Sequence, residues 1–146
     1  MKRLNIWSIL DLAAPSILLG QTIGRIGNYI NQEGFGPPTS APWGVFIDPQ
    51  NRPTQYVLYT RFHPTFFYEA LLDAIFFILL IYLSKRLNVS GQLFAFYLIF
   101  YSLARFITEF WRIDTATIGE IKVAHVISIF AFMIGLLLFS TRKRRG

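Results

Sequence analysis

The sequence contains no cysteine, and only 15% of its 146 residues are charged. Without cysteine, a disulfide-stapled secreted domain and a thiolate metal site are both excluded. The shortage of charge matters more. Soluble domains carry about 25% charged residues, so this chain has too few to form a solvated surface. Disorder is excluded by the opposite excess, 53% hydrophobic and 17% aromatic residues. The two histidines lie far apart and the carboxylates are scattered, which gives no zinc-type ligand spacing. There is no nucleophile elbow, no P-loop and no dinucleotide fingerprint. The net charge of +6 does not point to nucleic acid, because four of the fourteen basic residues form the tail Arg142–Arg145 and the aromatics lie in hydrophobic runs. No cofactor is implied.

What is present is the material of an all-α integral membrane protein, a single domain with a bundle of about four transmembrane helices. Three runs are clear, at about 66–83, 92–111 and 121–139, each close to the roughly 20 residues that cross a hydrocarbon core. A fourth, at about 6–30, is interrupted by Asp11, Pro15, Gln21 and Arg25 and reads as a helix buried among others, too polar for a signal peptide. Basic residues at Lys2/Arg3, at Lys85/Arg86 and in the tail 140–146 alternate as four spans with both ends inside would require. The long segment 32–65, with Pro37, Pro38, Pro42, Pro49 and Pro53, would lie outside. Its composition suits a compact irregular loop or a short hairpin.

The polar residues within the spans carry the chemistry, since each ionisable group there costs about 2.5–3.5 kcal/mol and needs a partner or a purpose. Gln21, Arg25, Asn28 and Gln32 recur at helical spacing on one face, beside Gly20, Gly24 and Gly27, whose GxxxG spacing permits close helix approach. The stripe is either an interhelical polar clamp or a cationic pocket for an anionic headgroup, because guanidinium matches phosphate geometry. Tyr101, Arg105, Thr108, Glu109 and Arg112 share another face, with Arg105 and Glu109 an i, i+4 pair. Glu69 and Asp73 are like charges one turn apart and call for cations, which Arg25 and Arg105 can supply. His63 precedes the second run near the outer interface, as a packing or capping residue or a base. His125, mid-span, is read as an interhelical hydrogen-bonding residue.

One stretch, Gly24-Arg25-Ile26-Gly27-Asn28-Tyr29-Ile30-Asn31-Gln32-Glu33-Gly34-Phe35-Gly36, resembles the signature G-R-x-G-N-F-x-N-x-E-x-x-G of the bacterial prolipoprotein diacylglyceryl transferases, with Tyr29 in place of Phe. Two further blocks resemble the same family in the same order: His63-Pro64-x-x-x-Tyr68-Glu69, and Tyr101-x-x-x-Arg105-Phe106-x-x-Glu109-Phe110-x-Arg112. Members of that family are about twice as long, with seven spans and an upstream His-Gly-Gly-Leu block that is absent here. A Met-Gly-Gln run near their last helix is replaced by Val123-Ala124-His125. The resemblance therefore implies the C-terminal four-span half of such an enzyme, with an N-terminal half missing.

The implied reaction, in the bacterial inner membrane, transfers sn-1,2-diacylglyceryl from phosphatidylglycerol to the lipobox cysteine thiol near a prolipoprotein's signal peptide and releases glycerol phosphate. On this resemblance Arg25 and Arg105 hold the phosphate and stabilise charge on the leaving group. Asn28 and Tyr101 bind the headgroup, and Gly36 belongs with these substrate-binding residues. Glu33, Glu69 and Glu109 orient the arginines. Thiolate is the nucleophile; the base that generates it lies in the missing half, with His63 the local candidate. The alternative is an inactive remnant or a non-catalytic, transporter-like bundle whose polar stripes only hold helices together.

Overall fold

The computed structural model describes residues 5–142. Lys2, Arg3 and the tail beyond Arg142, on which part of the orientation reading rests, lie outside the described residues. Helix α1 runs Ile6–Asn31, α2 Thr65–Ser84, α3 Gln92–Glu109 and α4 Val123–Thr141. Two antiparallel pairs of very short strands sit in the connections: β1 (Val45–Phe46) with β2 (Arg61–Phe62), and β3 (Thr117–Ile118) with β4 (Ile121–Lys122).

Helices α1, α2 and α4 are long and apolar enough to cross a membrane. The broad exposure of Leu12, Ile78, Phe130 and Leu137 gives lipid an apolar surface to meet. Helix α3 is not among the three, although the sequence marks it as a clear span and α1 as the weak one. The reason is its polar composition, which its position accommodates. Helix α3 packs against α1, α2 and α4, so its polar side chains Gln92, Ser102, Thr108 and Glu109 are buried in protein rather than turned to lipid.

The helices alternate in direction. At one end Ser8 and Ser90 share a hydrogen bond of 2.9 Å, the Arg142 guanidinium lies 4.1 Å over the Trp7 ring, and Gln92 donates to the Arg142 carbonyl. The same end holds an interhelical cap. Helix α3 begins at Gly91, with φ 95° and no side chain of its own to satisfy the first amides. Asp11 of α1 does so instead, accepting from the Gly91 and Phe94 N–H groups at 2.6 and 2.8 Å. The residue that breaks the first hydrophobic run thus terminates another helix. An apolar cluster of Ala14, Leu18, Leu80, Leu93 and Tyr97 fills the space above it.

At the opposite end, residues 32–64 form a long, mostly irregular segment pinned by the short β1–β2 pair. Backbone bonds tie Gly36 to His63, Thr39 to Arg61 and Ile47 to Thr60, bypassing the prolines that lack a donor. Phe35, Ile47, Phe62 and Phe66 form a second core beneath it.

Three expectations change. The third helix ends at Glu109, not 111, and the fourth begins at Val123, not 121. The β3–β4 hairpin turns at Gly119 (φ 62°) and keeps residues 121–122 extended. The close helix contact expected at Gly20, Gly24 and Gly27 is absent among the described residues, since a Cβ at any of them would meet nothing within 4 Å. Gln32 leaves the Arg25 stripe: it takes the left-handed conformation that ends α1 (φ 52°) and its amide clamps Asp48 at 2.7 and 2.8 Å.

Candidate functional site

Three helices contribute four charged residues to a single network. Arg25 of α1 donates to Glu69 Oε1 of α2 in a close ion pair, and Arg105 Nη1 of α3 approaches Glu69 Oε2 at 3.3 Å. Arg105 Nη2 then meets Glu109 Oε2 one turn along at 3.0 Å. Glu69 is 2% exposed and Glu109 wholly buried, so each carboxylate has exchanged water for guanidinium. Desolvating these ions is offset only because the pairs are close, with hydrogen bonds to Glu69 from both arginines and to Glu109 Oε1 from Thr115. The like charges Glu69 and Asp73 thus obtain the two cations their spacing demands, though only Glu69 touches them. Both Asp73 oxygens, Gln21 Oε1 and Arg25 Nε are buried without a hydrogen-bond partner among the described residues. Gln21 donates instead to the Tyr97 hydroxyl at 3.3 Å.

The remaining candidates fall into two groups. Asn28 accepts from Arg25 Nη1 at 3.4 Å and donates to Glu33 at 3.2 Å. Among the described residues Glu33 therefore reaches the arginines through Asn28, and it is exposed. Tyr101 stacks on Tyr97 and, with Arg105, lines a cavity of about 340 Å³ between α3 and α4. By contrast, the structure does not bring His63 or Gly36 into the network. His63 Nδ1 is 3.0 Å from the Tyr68 hydroxyl, which accepts from Trp43 Nε1, and His63 borders a separate cavity between α2 and α3. Gly36 is a packing position: a Cβ there would come within 2.8 Å of Thr65 Cγ2 and the Trp111 carbonyl. His125 has its Nε2 buried and unpartnered, between the rings of Phe106 and Phe110 at 4.7 and 4.6 Å. It makes no interhelical hydrogen bond among the described residues.

Two groups that hold the site in place escaped the sequence reading. Thr115 donates a close hydrogen bond to Glu109 Oε1, fixing the carboxylate whose other oxygen holds Arg105. Lys122 Nζ caps the end of α3, donating to the carbonyls of Glu109 and Arg112, the latter at 2.7 Å. The available signal was Lys122's place: a cation at the start of an otherwise apolar run calls for a partner.

Fold and network together define a helical membrane protein that holds paired arginines and carboxylates buried between its helices. A sequence profile described as prolipoprotein diacylglyceryl transferase matches residues 1–141. Among curated relatives named phosphatidylglycerol–prolipoprotein diacylglyceryl transferase, one from Nostoc sp. is 43% identical over 93% of this chain and 50% of its own length. One from Prochlorococcus marinus is 43% identical over 98% of this chain and 53% of its own, and one from Thermosynechococcus vestitus 41% over 92% and 51%. The chain belongs to the prolipoprotein diacylglyceryl transferase family. It spans about half the length of the curated relatives it matches.

Proposed function

We propose that this chain supplies the phosphate-holding helices of a transferase that moves the diacylglyceryl group of phosphatidylglycerol onto a prolipoprotein cysteine thiol. The observation that supports this reading is the bridge Arg25–Glu69–Arg105, which sets two guanidiniums from different helices on one carboxylate. In the reaction, sulfur forms a bond to the glyceryl methylene as its bond to the phosphate oxygen breaks. The electron pair leaves with glycerol phosphate. Charge grows on that phosphate, and fixed guanidiniums in a low-dielectric site stabilise it. Arg25 and Arg105 take that role, with Glu69 and Glu109 aligning them. Asn28 and Tyr101 contact the headgroup, and Glu33 steadies Asn28. Gly36 serves by letting the outer segment close over α2. His63, poised on Tyr68, is the local candidate to receive the thiol proton. The protein works in the bacterial cytoplasmic membrane, with both described termini on the cytoplasmic side.

The test is thioether lipidation of a prolipoprotein by this chain, alone and paired with the half of the Nostoc relative that it does not cover. In the active pairing, Arg25→Ala lowers transfer by about 10² or more with membrane insertion unchanged, the scale seen when one oxyanion donor is lost. Arg105→Lys also loses most activity, since a point charge cannot reproduce the fork. Retained transfer in Arg25→Ala would refute the role. No transfer in any pairing would leave the non-catalytic bundle.

A further inference from the structure

The chain has four aspartates, and three of them have donors. Asp11 accepts the Gly91 and Phe94 N–H groups, Asp48 the side-chain amide of Gln32, and Asp114 the Gly34 N–H. Asp73 is 0% exposed, and neither of its oxygens has a hydrogen-bond partner among the described residues. An ionised carboxylate is an acceptor only and needs donors wherever water is excluded. The nearby cations are engaged elsewhere, Arg25 by Glu69 and Asn28, and Arg105 by Glu69 and Glu109. Arg25 Nε, though unpartnered, makes no bond to Asp73.

The register of the helices places Gln21 at the same level. Helices α1 and α2 run in opposite directions and pack together, with Arg25 paired to Glu69. Four residues inward on each, about 6 Å along the axis, α1 carries Gln21 and α2 carries Asp73. The Gln21 amide nitrogen is spent on the Tyr97 hydroxyl of α3, and its Oε1 is buried without a donor. With Asp73 charged, this layer would hold orphaned acceptors from both helices and no donor for either. One proton on Asp73 supplies the donor, and it removes one of two like charges set a turn apart. The groups whose charge Asp73 meets are Arg25 of α1, Glu69 of its own helix, and Arg105, Tyr97 and Tyr101 of α3. We infer that Asp73 is a neutral carboxylic acid that donates to Gln21 Oε1, a positioning group whose proton leaves two carboxylates, not three, to match the two guanidiniums. Arg25 and Arg105 then balance Glu69 and Glu109, whereas an ionised Asp73 would add a net negative charge that repels phosphate. The consequence for phosphate rests on the transferase reading; the protonation state does not.

The test is infrared spectroscopy of the full chain, labelled with carbon-13 aspartate, in phosphatidylcholine nanodiscs near neutral pH. The unsubstituted chain shows an isotope-shifted carbonyl stretch of an un-ionised carboxyl. Asp73→Asn abolishes that band, and Gln21→Leu keeps it but shifts its frequency. Carboxylate bands alone in the unsubstituted chain would overturn the assignment without any variant having to fold. A band that survives Asp73→Asn, or one that Gln21→Leu leaves unshifted, would overturn it too. Nanodiscs that also contain phosphatidylglycerol report the consequence. Raising the pH until the band disappears weakens phosphatidylglycerol binding about tenfold or more, since a new carboxylate then lies about one helical turn from the phosphate. Asp73→Asn, which cannot ionise, removes that pH dependence, and an alkaline loss equal in both chains would overturn the positioning role. Phosphatidylglycerol that does not bind at neutral pH counts against the transferase reading, while the infrared band still decides the state of Asp73.

Discussion

Glu69→Gln is the most informative single change, because it removes one charge from between two. In the folded chain Glu69 is 2% exposed and is the bridging partner of both Arg25 and Arg105. Arg105 keeps Glu109, at 3.0 Å, while Arg25 keeps only a 3.4 Å bond to Asn28. Arg25 is the group left almost uncompensated, with its side chain 16% exposed. Breaking a buried pair by removing one partner costs about 3–5 kcal/mol. Glutamine keeps the shape and one acceptor, so the lower end, about 3 kcal/mol, is the expected loss. If the two guanidiniums are arranged to hold phosphate, an anion placed between them replaces the missing carboxylate. A ligand at about 100 times its dissociation constant restores roughly 2.7 kcal/mol, nearly the whole deficit. The assay is denaturant unfolding of both forms in phosphatidylcholine nanodiscs, with and without phosphatidylglycerol. Stability unchanged by the substitution to within about 1 kcal/mol would show that the bridge does not hold the helices. A deficit that phosphatidylglycerol leaves untouched would show that the arginines do not bind the headgroup.

Two other changes probe the frame. Asp11→Ala leaves the Gly91 and Phe94 amides of α3 without their acceptor. It is expected to cost about 1–2 kcal/mol, the worth of an N-cap, with amide exchange accelerating at residues 91–94 first; uniform protection across α3 would contradict the cap. Gly24→Ala meets open space, so it should stabilise the chain by about 0.5–1 kcal/mol in thermal unfolding, as an alanine does in a helix interior. A loss of stability would show that another backbone approaches that face after all.

The parts of the fold that were legible in the sequence depend on local chemistry. Apolar runs of bilayer length fix the four helices to within two residues at most ends, because hydrophobic length is a one-dimensional property. The i, i+4 spacings of Arg105 with Glu109 and of Glu69 with Asp73 placed the charged side chains on shared faces, and the arginine–glutamate network followed. What was not legible depends on where elements meet. Asp11 reads as a flaw in α1 until the start of α3 is beside it. Lys122 lies within the run at 121–139, and nothing in that run shows that the end of α3 points at it. Gln32 fits the helical stripe by number, but the chain leaves the helix at that residue, and a left-handed backbone sends the side chain to Asp48. Gly36 fits a binding motif by sequence and a packing contact by geometry.

The central claim is that Arg25 and Arg105 together hold the phosphate of phosphatidylglycerol. Phosphorus NMR of phosphatidylglycerol in nanodiscs carrying the chain reads that contact directly. The account predicts a shifted, broadened resonance for the bound lipid that is lost in the Arg25→Ala/Arg105→Ala double variant, with phosphatidylcholine unaffected throughout. A phosphatidylglycerol resonance that the double variant leaves as it is in the original chain would contradict it.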